Sequence, residues 1–218
     1  MNGFSVHGLD VSHYQKQINW DTVMVYDIDF VFIKASEGEN FRDSFFQKNW
    51  NSLQKFDVKK GAYHFFRPTL DVNKQFQNFS QTVKLADEDL PPVLDIEVED
   101  GRSKKEIVHA VKQWLALAEK KYGVKPIIYT NLNFYKATLA GHFDEYPMWI
   151  ARYSNREPIL DYGNSWTFWQ YGNRGKIPGI EGDVDLNVFN GSLEELDALS
   201  NGKSPFSEVR FKPKNTKR

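Results

Sequence analysis

Apolar residues in this chain fall in short runs that are hydrophobic on both faces. Eight stand out: Val6–Val11, Phe30–Ala35, Gly61–Phe66, Pro92–Val98, Pro126–Thr130, Met148–Tyr153, Trp166–Tyr171 and Asp183–Phe189. Such runs are expected of strands covered on both sides. Helical spacing separates the earlier ones. Phe45, Phe46, Trp50, Leu53 and Phe56 form one stripe, and Asp71 caps a second carrying Phe76, Phe79 and Val83. Ser103-Lys104-Lys105-Glu106 has the reciprocal pattern of a capping box. Ile107, Val111, Trp114, Leu115 and Ala118 then recur at helical spacing until Gly123 stops the run. From Pro147 onward the linking segments are rich in Gly, Asn and Pro, and no helix of normal length fits between the last three strands. The pattern predicts an α/β fold, an irregular TIM-like barrel that starts as β/α units and closes with hairpin-like connections. A short helix over Gly191–Leu199 ends it. Residues 1–200 form one domain, and residues 201–218 a tail.

The chemistry follows from strand phase. Alternate residues of a strand face opposite sides. In Pro91-Pro92-Val93-Leu94-Asp95-Ile96-Glu97, the apolar Leu94, Ile96 and Val98 face the helices, so Val93, Asp95 and Glu97 face the barrel. Two carboxylates then stack at the C-terminal end of a strand, where barrel enzymes place their sites. Like charges so close cannot both ionise easily, so one pKa rises, as a general acid requires. Lys34 on the second strand is the expected counter-charge. Asp10, between Leu9 and Val11, ends the first strand facing inward, and Asp183, Asp185 and Asn187 share a face of the last. First and last strands are neighbours in a closed barrel, so Asp10 and Asp185 should lie together, across the floor from Asp95 and Glu97. Structural alternatives are a charge-paired carboxylate couple and strand-end aspartates that merely cap turns. Tyr63, Tyr129 and the Trp169-Gln170-Tyr171 segment fall at the same end, and aromatic rings there suit the flat C–H faces of sugars.

These segments occur in order: Asp10-Val-Ser-His-Tyr-Gln, Ile33-Lys-Ala-Ser-Glu-Gly, Gly61-Ala-Tyr-His-Phe, Leu94-Asp-Ile-Glu, Ile128-Tyr-Thr, Met148-Trp-Ile-Ala-Arg-Tyr, Trp169-Gln-Tyr and Val184-Asp-Leu-Asn. The series resembles the glycoside hydrolase family 25 lysozymes, the Chalaropsis-type muramidases, from about Val6 to Gly191. The resemblance implies a (β/α)5(β)3 barrel. It also implies hydrolysis of the β-1,4 bond between N-acetylmuramic acid and N-acetylglucosamine in peptidoglycan. It implies Glu97 as proton donor and Asp95, Asp10 and Asp185 as supporting acids. Tyr63, Tyr129, Trp169, Lys34, Glu37 and Gln170 form the implied substrate-contact set. Two acids on one strand fit neither side of the usual flanking carboxylate pair. They fit a retaining scheme in which the sugar's own N-acetyl oxygen attacks, Asp95 orients the acetamido group and Glu97 protonates the leaving oxygen; the alternative is Asp10 or Asp185 as a direct nucleophile or base from across the barrel.

Composition narrows the rest. A formal net charge of −1 gives the whole molecule no nucleic-acid footprint. It conceals a tail of Lys203, Arg210, Lys212, Lys214, Lys217 and Arg218 against Glu208, which is +5 on a body of −6. This is either a solvated end or a tether to an anionic wall polymer. Without cysteine there are no disulfides, thiolate metal sites or cysteine nucleophiles. No stretch reaches the roughly 18 apolar residues of a membrane span. The five histidines lack ligand spacing, so neither metal nor cofactor is expected. Met1–His7 has no signal-peptide pattern, yet the implied substrate calls for a secreted or exported monomer acting at the cell wall on peptidoglycan strands. A catalytically silent glycan-binding barrel and a chitin-type glycosidase are the competing readings.

Overall fold

The computed structural model describes residues 3–200. The expected closing helix is present as the last described element. The basic tail lies outside the described residues. The strands are β1 (His7–Val11), β2 (Phe30–Glu37), β3 (Phe41–Arg42), β4 (Lys59–Phe65), β5 (Val93–Asp95), β6 (Ile127–Asn131), β7 (Met148–Ala151), β8 (Phe168–Gly175) and β9 (Val184–Phe189). The helices are α1 (Trp20–Val23), α2 (Phe46–Leu53), α3 (Val72–Thr82), α4 (Lys104–Tyr122), α5 (Leu132–Phe134) and α6 (Leu193–Ser200). The strand order is β1-β9-β8-β7-β6-β5-β4-β2, and β1 also pairs with β2, so eight strands close into a barrel while β3 hangs on β2 as a short hairpin.

Each of the first five barrel strands is followed by a helix, no helix of normal length joins the last three, and α6 follows β9 as the closing helix, as the α/β reading expected. The closing connections need one correction. Among the eight barrel strands only β9 runs antiparallel, against β8 and β1, whereas β7 and β8 are parallel. Segment 152–167 therefore crosses over, with only a 3-10 turn at Asp161–Gly163, and a single hairpin closes the barrel. Strand β5 is also shorter than its apolar run: its ladder stops at Asp95, although the Ile96 amide still donates to the Tyr129 carbonyl at 3.0 Å.

The helices form where local chemistry favours them. The Ser103 hydroxyl accepts from the Glu106 amide while the Glu106 carboxylate accepts from the Ser103 amide, closing the predicted capping box. Gly123 ends α4 at φ 73°, a left-handed conformation that glycine adopts without a Cβ penalty. Asp71 caps α3 through the Lys74 amide. Ile107, Val111, Trp114, Leu115 and Ala118 bury the inner face of α4, and each large side chain among them contributes about 1.5–3 kcal/mol.

Strand phase sorts two apolar layers. Leu9, Val31, Ile33, Ala62, Leu94, Ile128, Ile150, Trp169 and Val188 face the helices. Phe30, Phe32, Val93, Ile127, Tyr129, Trp149, Phe168 and Phe189 fill the barrel. Phe32 stacks on Trp149 with ring centroids 4.4 Å apart, and Phe168 meets Phe30, Phe32 and Phe189 edge-on or tilted. Two inward glycines make room for these rings. A Cβ on Gly8 would stand 2.4 Å from the Phe30 ring, and one on Gly61 would stand 2.6 Å from the Phe32 ring. The interior is thus a packed aromatic plug, and only the C-terminal rim is left open for polar groups.

Candidate active site

Above the plug lies a cavity of about 250 Å³ lined by Asp10, Lys34, Tyr63, Asp95, Glu97, Tyr129, Trp149, Tyr153, Gln170 and Asp185, among others. Each acid arrives by strand phase. Asp10 is two residues above Gly8 on β1, and Asp95 two above Val93 on β5. Glu97 follows in the same phase, just past the ladder. Asp185 comes from the beginning of β9, because that strand runs antiparallel and brings its N-terminal end to the rim. The ladder pairs Asp10 directly with Asp185, so the expected neighbours are neighbours.

Burial sets the electrostatics. Asp10 and Asp95 are 6% and 5% exposed, while Glu97 and Asp185 are half-buried. Burial raises the Asp95 pKa well above the ordinary value, and the charge of Glu97 raises it further, with Lys34 opposing. Glu97 is raised first by burial and then by Asp185, with Lys34 again opposing. The repulsion expected between the stacked acids therefore falls on Asp95, and Glu97 feels the carboxylate across the barrel. Lys34 reaches this set from β2, held by Glu37 at 2.7 Å and by the rings of Phe65 and Phe41 at 5.0 and 5.5 Å.

Asp10 and Asp185 titrate as a unit. Burial and the Asp185 charge push Asp10 well up, while Asp185 is raised to about 6, chiefly by burial. One oxygen of Asp10, Oδ2, accepts from the Gln170 and Asn187 amides at 2.8 and 2.7 Å. Gln170 is fixed in turn, because its Oε1 accepts from Tyr129 and Tyr153 at 2.9 and 3.1 Å. Asn187 is fixed by the Trp149 indole, which donates to its Oδ1 at 2.8 Å. Asp95 differs: its Oδ1 is fully buried and has no hydrogen-bond partner. A buried acceptor left unpaired costs about 1–3 kcal/mol.

Two sequence-derived contacts lie elsewhere. Trp169 is fully buried on the helix side, beside its ladder partners Ile150 and Val188, and donates to the Arg152 carbonyl at 2.8 Å. Its neighbours Phe168 and Gln170 take the inward phase. Glu37 does not line the cavity and instead holds Lys34, with Arg67 at 3.8 Å. Asp183 is exposed and paired with Lys176 at 2.7 Å. Conversely, Trp149 supplies the cavity floor and Tyr153 its rim. Trp149 was hidden because β7 is buried on both faces and shows no alternation. Among the described residues no cluster of His, Cys, Asp and Glu is arranged to hold a metal ion, and no helix is long and apolar enough to cross a membrane.

A carboxyl raised by folding binds its proton more tightly in the folded chain. Its contribution to stability is present at low pH and lost as pH rises through the folded value, near 6 for Asp185. Asp185→Asn removes that loss. Its stability relative to the parent, from urea unfolding, should therefore grow between about pH 4 and 7 by on the order of 1–2 kcal/mol, after allowance for partial exposure. A difference constant across that range would contradict the assignment.

The sequence pattern of the family described as Glycosyl hydrolases family 25 matches residues 9–180, ending just before Asp185. The chain is 44% identical over 204 residues to the uncharacterized protein YegX of Escherichia coli (strain K12), covering 91% of this chain and 75% of that protein. It is 34% identical over 211 residues to Lysozyme M1 of Streptomyces globisporus, covering 90% and 71%. A family 25 glycosyl hydrolase structure from Bacillus anthracis superposes with a TM-score of 0.86 at 34% identity, covering 92% of this chain and 95% of that one. A family match over most of the chain, on a barrel with its acids at the C-terminal rim, makes this protein a member of glycosyl hydrolases family 25, a glycoside hydrolase of lysozyme type.

Proposed function

We propose that the protein is a muramidase acting at the bacterial cell wall. It cuts the β-1,4 bond between N-acetylmuramic acid and N-acetylglucosamine with net retention, and Glu97 is the proton donor. The observation that carries the scheme is that Asp95, whose buried Oδ1 has no partner, lines the same cavity as Glu97. An acetamido N–H entering that cavity is a donor the Asp95 carboxyl can accept. The similarity to Lysozyme M1 supports the substrate class.

In this scheme the acetamido group of the sugar at the cleavage point enters the inner cavity and donates its N–H to Asp95. That contact aims the acetamido oxygen at the anomeric carbon, and the Asp95 carboxylate offsets the positive charge that develops on the group. As the oxygen–carbon bond forms, the glycosidic bond breaks and the leaving oxygen takes the Glu97 proton. Glu97, now a base, deprotonates a water that opens the oxazolinium ring and restores the acetamide. Two inversions at one carbon give net retention. The raised pKa of Glu97 keeps its proton available. The Asp10–Asp185 pair, held through Gln170 and Asn187, forms the opposite wall and sustains the field that raises Glu97.

Glu97→Gln preserves shape and removes the proton. Release of muropeptides from peptidoglycan should fall about 10²–10⁴-fold with thermal unfolding unchanged. More than about a tenth of parental activity would remove Glu97 from the acid role. Digestion of chitin oligomers in parallel tests the substrate class, because the reading expects cleavage of peptidoglycan. The anomer formed first, followed by proton NMR, tests the scheme itself: β-anomer supports retention, and initial α-anomer rejects it.

A further inference from the structure

On the far side of Glu97 lies a second, wider hollow of about 760 Å³, with Asn133, Lys136, Arg152, Tyr153 and Ile159 in its lining. Glu97 and Tyr153 border both spaces and form the wall between them. Under the muramidase reading, which this inference rests on, Glu97 protonates the bridging oxygen. The inner cavity then holds the sugar that is attacked, and the outer hollow lies on the leaving-group side.

The charge of the two spaces is opposite. The inner cavity has four carboxyls around one lysine, whereas the outer hollow has Arg152 and Lys136 and, of acids, only Glu97 at its border. Arg152 follows the last residue of β7, and its backbone is pinned on both sides: its amide donates to the Gln170 carbonyl at 3.0 Å and its carbonyl accepts from Trp169. One guanidinium nitrogen, Nη1, donates to the Glu157 carbonyl at 2.6 Å. Among the described residues no carboxylate lies within ion-pair distance of this half-buried group. Lys136 faces Asp161 at 3.9 Å, the outer limit of an ion pair. Exposed Ile159 adds apolar surface beside them. A neutral sugar needs hydroxyl partners and no cation. A guanidinium held on a fixed backbone with donors to spare suits a carboxylate.

We propose that the outer hollow binds the leaving N-acetylglucosamine, and that Arg152, backed by Lys136, takes a carboxylate of the acidic peptide stem borne by the N-acetylmuramic acid next along the strand. The site would make the enzyme prefer glycan that still carries peptide over stripped glycan.

The test compares two substrates of equal chain length, peptidoglycan glycan with its stem peptides and the same glycan stripped by an amidase, with the lactyl carboxyl that this uncovers capped as its methylamide. For Arg152→Gln, the ratio of kcat/KM on the two substrates should fall about tenfold, the scale of one charge-assisted contact. Lys136→Ala should move it the same way by less, and Arg152→Lys should recover part of the preference. Affinity for the peptide-bearing product, measured by titration calorimetry, should weaken with Arg152→Gln and needs no turnover. Binding that depends on Arg152 without cleavage of either substrate would reject the muramidase reading and keep the site. A ratio and an affinity both unchanged in Arg152→Gln would overturn the site, and so would equal losses on the two substrates.

Discussion

The rim of this barrel is too small and too dry for the charges placed in it, and most of the site's properties follow from that. Four carboxyls converge there, two of them almost fully buried, and one buried lysine faces them. Desolvation and mutual repulsion both favour the protonated forms. All four acids are thus pushed toward higher pKa, and the protein distributes the effect unevenly. Asp10 receives two amide donors, Asp185 shares its proton economy with Asp10, and Glu97 keeps an edge toward the opening. Asp95 keeps an oxygen with no partner. Such an arrangement lowers stability in the resting protein, as is common where residues are placed for function and not for stability.

Rigidity beneath the acids makes this possible. The Phe32–Trp149 stack and the rings around Phe168 form a floor that does not yield, and Gly8 and Gly61 let those rings lie against the backbone. The floor is linked to the acids by hydrogen bonds: Trp149 holds Asn187, Asn187 holds Asp10, and Gln170 ties Asp10 to Tyr129 and Tyr153. A chain of fixed donors sets where the Asp10 carboxylate points, which a loop-borne site would not achieve.

Much of this was legible in the sequence because period two is strict. Asp10 and Asp95 alternate with apolar neighbours that have nowhere to go but the helix layer, so their inward direction was forced, and closure of the ring brought Asp185 beside Asp10. The same rule, left unapplied, misplaced Trp169, whose inward neighbours are Phe168 and Gln170. In Trp166-Thr167-Phe168-Trp169 apolar residues occupy both phases, and only pairing with Ile150 and Val188 decides between them. Trp149 was lost for the same reason. Glu37 comes from the resemblance; the irregularity in the β2–β4 ladder between Lys34 and Ser36 brings it into the phase of Lys34, opposite Phe65, where it holds the lysine instead of lining the cavity. The β7–β8 crossover is not legible in the sequence, because a Gly- and Asn-rich segment says that a helix is absent and nothing about strand direction.

The central claim is that crowding in a desolvated rim keeps Glu97 protonated beyond the range of an ordinary glutamate. Carbon-13 NMR titration of side-chain carboxyls, with Glu97 assigned through Glu97→Gln, measures this in the free protein without substrate. The account predicts that the Glu97 resonance titrates above the ordinary glutamate value of about 4.3, and that its midpoint falls when Asp185 is replaced by Asn and one negative neighbour is lost. A Glu97 midpoint at or below the ordinary value, or one indifferent to Asp185, would contradict it.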